Sequence, residues 1–110
     1  MTHKGRLMSW EEFEAEMAAV HAEQQRQARE GPSEERLRKV REWATQGQFV
    51  PVVGEGRTYH VRRTGVSEYL HGGGPPRRVS VAEMEANLRA AGLAGSLQEV
   101  ELLRELGVIE

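Results

Sequence analysis

Hydrophobic positions along this chain follow two rhythms, a helical one toward both ends and an alternating one in the middle. Trp10, Phe13, Met17 and Val20 recur at spacings of three and four, which places them on one face of a helix. Ser9-x-x-Glu12 is a capping box for its start, and Met8 with Phe13 fits the hydrophobic staple that accompanies such a box. The apolar face fades after Val20. From Glu23 to Glu30 the sequence is Glu-Gln-Gln-Arg-Gln-Ala-Arg-Glu, so this half is expected to be a solvated helix end, with a partner-contacting arm as the functional alternative. Gly31-Pro32 stops the helix. A second helix opens at Ser33, shows Leu37, Val40, Trp43 and Ala44 on one face, and closes at Gly47. Glu34 with Arg38 and Glu35 with Lys39 are favourably oriented i,i+4 pairs. The short link predicts an antiparallel helical hairpin, or a single helix kinked at Gly31-Pro32.

Between Phe49 and Arg78 the helical spacing disappears. Phe49–Val53, Arg57–Arg63 and Val66–His71 are β-rich runs, separated by Gly54-Glu55-Gly56 and Thr64-Gly65. They predict a three-stranded antiparallel meander. Pro51 cannot donate to a ladder, which sends the first run to an edge. Tyr59 and Val61 share one face of the second run. The third is in conflict with itself: turning Val66 and Leu70 inward also turns Glu68 inward. A bulge, or helices on both faces, would resolve it. Gly72-Gly73-Gly74-Pro75-Pro76 is expected to be a flexible connector. It lacks the Lys-Ser/Thr ending of a phosphate-binding loop.

The helical rhythm then returns. Ser80-x-x-Glu83 caps a third helix with Val79 and Met84 as staple, Val81, Met84, Leu88 and Ala91 as its face, and Gly92-Leu93 as a Schellman closure. Ser96-x-x-Glu99 is expected to open a fourth, lined by Leu97, Val100, Leu103 and Leu106 and closed by Gly107. Val108 and Ile109 are expected to pin the end of the chain to the core. The fold class is therefore α+β, in the order α-α-β-β-β-α-α, with a small antiparallel meander flanked by two helical hairpins. At 110 residues this is one domain, 1–110, with 1–7 expected to be flexible.

Composition narrows the chemistry. Hydrophobic residues make up 38%, which supports a packed core. There is no Cys, so disulfides and thiolate metal sites are excluded. All 17 acidic residues are Glu, so an EF-hand calcium loop and a Ser-His-Asp triad are excluded too. The charged start of the sequence gives no signal peptide, and no apolar run suits a bilayer, so the protein is expected to be cytoplasmic with no membrane partner.

Charge is unevenly spread. Residues 57–78 hold five Arg against Glu68, a net +4, while residues 79–110 hold two Arg against six Glu, a net −4. The basic cluster Arg57, His60, Arg62, Arg63, His71, Arg77 and Arg78, with Tyr59, forms the candidate binding surface. Guanidinium groups suit carboxylates and phosphates alike. The competing reading pairs these arginines with the chain's own glutamates. The third and fourth helices do not suit DNA, because Gln98, Glu99, Glu101 and Glu105 would face phosphates with only Arg104 beside them.

The expected function is non-enzymatic: a small binding or regulatory protein, an inhibitor or adaptor, that docks through this basic meander on an acidic protein or on a partner that handles nucleic acid. Nucleic-acid binding by the same surface is the alternative. No metal and no cofactor is expected, since His60 and His71 find no third obvious ligand beyond Glu68. Homodimerisation is open, through Val108-Ile109 or the first helix. Two helices followed by a basic meander also resemble the topology of the RelE-type ribonuclease toxins, on the string Tyr59-His60-Val61-Arg62 followed by Tyr69-Leu70. That resemblance implies metal-independent RNA cleavage by the histidines, with Arg62 stabilising charge. An isoelectric point near 6.1 does not suit a ribosome binder.

Overall fold

The computed structural model describes residues 9–110. The expected mobility of 1–7, and the Met8 half of the first staple, lie outside them. The chain runs through α1 (Trp10–Glu30), α2 (Glu34–Thr45), β1 (Val50–Val53), β2 (Arg57–Arg62), β3 (Gly65–Leu70), β4 (Arg77–Val79), α3 (Val81–Ala90) and α4 (Ala94–Glu105). The class is α+β, and the sheet is an antiparallel meander in the order β1-β2-β3-β4. It has one strand more than the sequence predicts. Arg77–Val79 pairs with Val66–Glu68, just after the Gly/Pro connector.

Register explains the inward glutamate. One cross-strand row runs Val50, Val61, Val66, Val79, and the next runs Val52, Tyr59, Glu68, Arg77. β2 and β3 pair without interruption from Arg57–Leu70 to Arg62–Gly65, so no bulge relieves Glu68. Instead the carboxylate lies buried beside two arginines: Arg57 Nη1 donates to Oε2 at 2.9 Å and Arg77 Nη2 to Oε1 at 3.2 Å. The helices cover only this inner face. Val40, Met84, Leu88, Val100 and Leu103 pack there against Val50, Val52, Tyr59 and Val61. Asn87 donates to the buried Tyr59 hydroxyl at 3.0 Å, so the ring enters the core without an unpaired oxygen. Val108 and Ile109 are buried, as expected.

The serine caps of α1, α2 and α3 form as the sequence predicts: Ser9, Ser33 and Ser80 each accept from the backbone N–H three residues on. α4 departs from the pattern. The Schellman bond from Leu93 N to Leu88 O closes α3, and α4 begins at once at Ala94 with Leu93 as its N-cap. Ser96 is therefore buried inside α4 and donates to the Val53 carbonyl at 2.6 Å. Glu99 is also buried. It receives Arg36 Nε at 3.1 Å and Nη2 at 3.0 Å, and the same guanidinium reaches the carbonyl of Pro51. One arginine thus ties α2, α4 and the edge strand together.

α1 also differs from expectation. Its last turns, not its apolar half, are docked, and they pack on α4 rather than forming a close hairpin with α2. Ala28 is buried, and Gly95 permits the contact. A Cβ there would overlap the Gln27 carbonyl oxygen and stand 2.9 Å from that of Ala28. Upstream, the stripe runs on uncovered: Trp10 is 71% exposed, Phe13 44%, Met17 50% and Val20 49%. Among the described residues no helix is long and apolar enough to cross a membrane.

Candidate functional site

Strand alternation sends the residues between the core positions to the opposite, uncovered face of the sheet. These are Pro51 on β1, Thr58, His60 and Arg62 on β2, Ser67 and Tyr69 on β3, and Arg78 on β4. None of them is acidic. Phe49, just ahead of β1, joins them. Its ring stacks on His60 with centroids 4.2 Å apart at 15°, and His60 meets Tyr69 at 4.2 Å and 36°. The three rings stand in a row across the strands. Their faces are largely turned to one another.

This row carries a cation at its end. The Arg62 guanidinium lies over the Phe49 ring, 5.5 Å from its centroid. Among the described residues Arg62 meets no carboxylate and no carbonyl. Two depressions flank it. One, of about 210 Å³, is lined by His60, Arg62, Ser67, Tyr69 and Arg78 and holds no acidic group. The other, of about 460 Å³, is formed by Trp43, Phe49, Pro51 and Arg62 and is mostly apolar. Arg62 stands in the wall of both. Burial pushes the His60 imidazole below the ordinary histidine value, and the neighbouring Arg62 charge adds to the effect. The ring is therefore held neutral, an apolar part of the row at neutral pH.

The residues singled out from sequence separate into four groups. Arg57 and Arg77 belong to the inner face, where they neutralise Glu68; Arg77 also binds Glu83 at 2.6 Å. Hydrogen bonds with Glu68 push the Arg57 guanidinium up, and Glu83 and then Glu68 do the same for Arg77. Burial alone would push the Glu68 carboxyl up. The hydrogen bonds and charges of Arg57 and Arg77 together outweigh it and hold the group below the usual carboxylate range. Arg63 and Arg78 are backbone clamps: Arg63 reaches the Gly107 carbonyl at 2.7 Å and Arg78 that of Thr64 at 2.6 Å. Tyr59, fully buried in the same inner row as Glu68, belongs with the first group.

His60 and Arg62 form the third group, on the open face, with the Arg78 side chain beside them. His71 makes the fourth. It follows β3 and bonds Thr58 Oγ1 at 2.9 Å, at the edge of the same outward face, while the register partner of His60 is Ser67. Phe49 is the residue sequence reasoning passed over. Its place in the alternation, one step before the inward Val50, is the signal that puts it outside.

A larger cleft, about 560 Å³, lies among α1, α2 and α4. Its charged side chains pair among themselves and with near neighbours: Arg36 with Glu99, Lys39 with Glu35, Glu23 with Arg26. It offers no uncompensated charge to a ligand. Among the described residues no group of three or more His and Glu could hold a metal. Compared with protein-family models, with curated proteins and with solved structures, the chain matches none of them.

Proposed function

We propose that this is a small non-enzymatic binding or regulatory protein, of the inhibitor or adaptor kind, that docks on an acidic segment of a protein partner through the open face of its sheet. The observation that carries this reading is Arg62, a cation without an internal carboxylate, set between an apolar and a cationic depression on a face with no acidic outward residue. A protein segment can fill the first with a hydrophobic side chain and the second with a carboxylate. Aromatic and Arg side chains of this kind are the usual anchors of protein interfaces.

Nucleic acid suits the face less well. Single strands are held by bases stacked on open aromatic faces, and here Phe49, His60 and Tyr69 occupy most of that surface themselves.

Affinity capture from nuclease-treated extract of the native host tests the proposal, with Arg62→Glu/Arg63→Glu as the control. A protein retained by the wild type and lost by the variant is the expected outcome. Equal retention by both removes the open face from the account. A labelled single-stranded oligonucleotide whose affinity falls steeply with salt would favour the nucleic-acid reading instead.

A further inference from the structure

The uncovered stripe of α1 and the uncovered face of the sheet are complementary, and within one copy both stay exposed. α1 is anchored by its last turns, with Ala28 buried against the helical side. Its free half carries Trp10, Phe13, Met17 and Val20 outward. Helical geometry places Glu14 one turn after Trp10 and next to Phe13, at the border of the stripe. Positions 10–25 hold five Glu and no Lys or Arg. The arm therefore presents an aromatic group directly beside a carboxylate.

The sheet presents the converse. An apolar hollow at Phe49 and Trp43 adjoins a cationic one at Ser67 and Arg78, with Arg62 between them. The dimensions agree as well. Residues 10–22 span about 20 Å as a helix, and the six-residue strands β2 and β3 each span about 20 Å.

We propose that the open sheet face binds the α1 arm of a second copy, with Trp10 and Phe13 against the Phe49 hollow and Glu14 at Arg62. This rests on the reading of that face as a protein-docking surface and names its partner as this same chain. Reciprocal exchange of two arms closes the pair about a twofold axis. Trp10 at 71% and Phe13 at 44% exposure still offer part of the roughly 150–250 Å² that a fully buried aromatic side chain covers, and Met17 and Val20 extend the stripe that the face would cover.

Sedimentation velocity on the full chain tests this by charge reversal. The wild type is expected to associate into a dimer as concentration rises. Glu14→Arg and Arg62→Glu should each raise the dissociation constant about tenfold or more, at unchanged melting temperature of the monomer, since among the described residues neither side chain has an ion pair. Mixing the two variants should restore association, because the reversed arm of one meets the reversed face of the other. A wild type that stays monomeric at every concentration overturns the proposal. So does an Arg62→Glu variant that dimerises like the wild type, which would place α1 against α1. Failure here, together with loss of a captured partner in the Arg62→Glu/Arg63→Glu control, leaves the docking face standing and rejects only the second copy. Equal capture by that control rejects the face itself.

Discussion

Thirteen arginines occur in this chain, and their surroundings give them different work. Arg36 is mostly buried and holds Glu99, which is nearly inaccessible. Removing one member of such a pair leaves an uncompensated buried charge. Arg36→Ala is expected to cost about 3 kcal/mol in chemical denaturation, whereas Arg62→Ala should stay within about 0.5 kcal/mol. Two titrating groups contribute to the acid side of stability. The folded state holds His60 below its ordinary 6.5, so the unfolded chain binds that proton more readily. Stability from this source is intact well above 6.5 and declines as pH falls below it. Glu68 lies below its ordinary 4.5, so its contribution is present above that value and disappears as pH falls through the folded-state pKa. Denaturant midpoints across pH should show both declines. Glu68→Gln should flatten the lower one and His60→Phe the upper.

At the scale of elements, α4 decides how the helices meet. A glycine inside a helix ordinarily costs about 0.5–1 kcal/mol relative to alanine. Gly95→Ala would therefore be stabilising on an isolated helix. Here the added methyl meets the end of α1, and the expected result is a loss of about 1–3 kcal/mol, with α1 amides exchanging faster while the sheet stays protected. A stabilised protein would mean that α1 does not sit where the structure places it.

Much of this level was legible in the sequence. Three Ser caps, the Schellman closure at Gly92, the edge position of Pro51 and the inward Tyr59 and Val61 all follow from local chemistry. Ser96 was not legible. Its motif matches a cap, but the chain after Leu93 is already helical, and tertiary contacts with Val53 and Arg36 claim Ser96 and Glu99 instead. β4 was not legible either. Arg77-Arg78-Val79 has little strand character of its own, and its pairing is supported by the inward Glu68, whose second guanidinium it supplies. Periodicity identified the apolar stripe of α1, but periodicity does not say what covers a stripe.

Across the whole molecule, charge segregation in the sequence translates only in part into a charged surface. Of the five arginines between 57 and 78, two neutralise Glu68 and two hold backbone carbonyls. The sheet is covered on one side only, and the side left open has no acidic outward residue. The stripe of α1 is open as well, and it is bordered by glutamates. The open sheet face and the apolar stripe of α1 are the two surfaces that the proposed docking would join. The site was legible in sequence as a region of basic residues. Which of them remain available depended on the register, because a one-residue step decides whether a side chain meets the core or the solvent.

The most direct test compares two variants of equal charge change, Arg62→Glu and Arg38→Glu, in quantitative capture of the same protein partner. Both side chains lie on the surface and among the described residues neither has an ion pair: Arg62 is on the open face of the sheet, and Arg38 is on α2, where Lys39 pairs with Glu35 but the expected pairing of Arg38 with Glu34 does not form. Loss of capture with Arg62→Glu and retention with Arg38→Glu is the predicted result. Equal loss would show that overall charge governs binding, and undiminished capture by Arg62→Glu would place the contact elsewhere on the molecule; either contradicts the account.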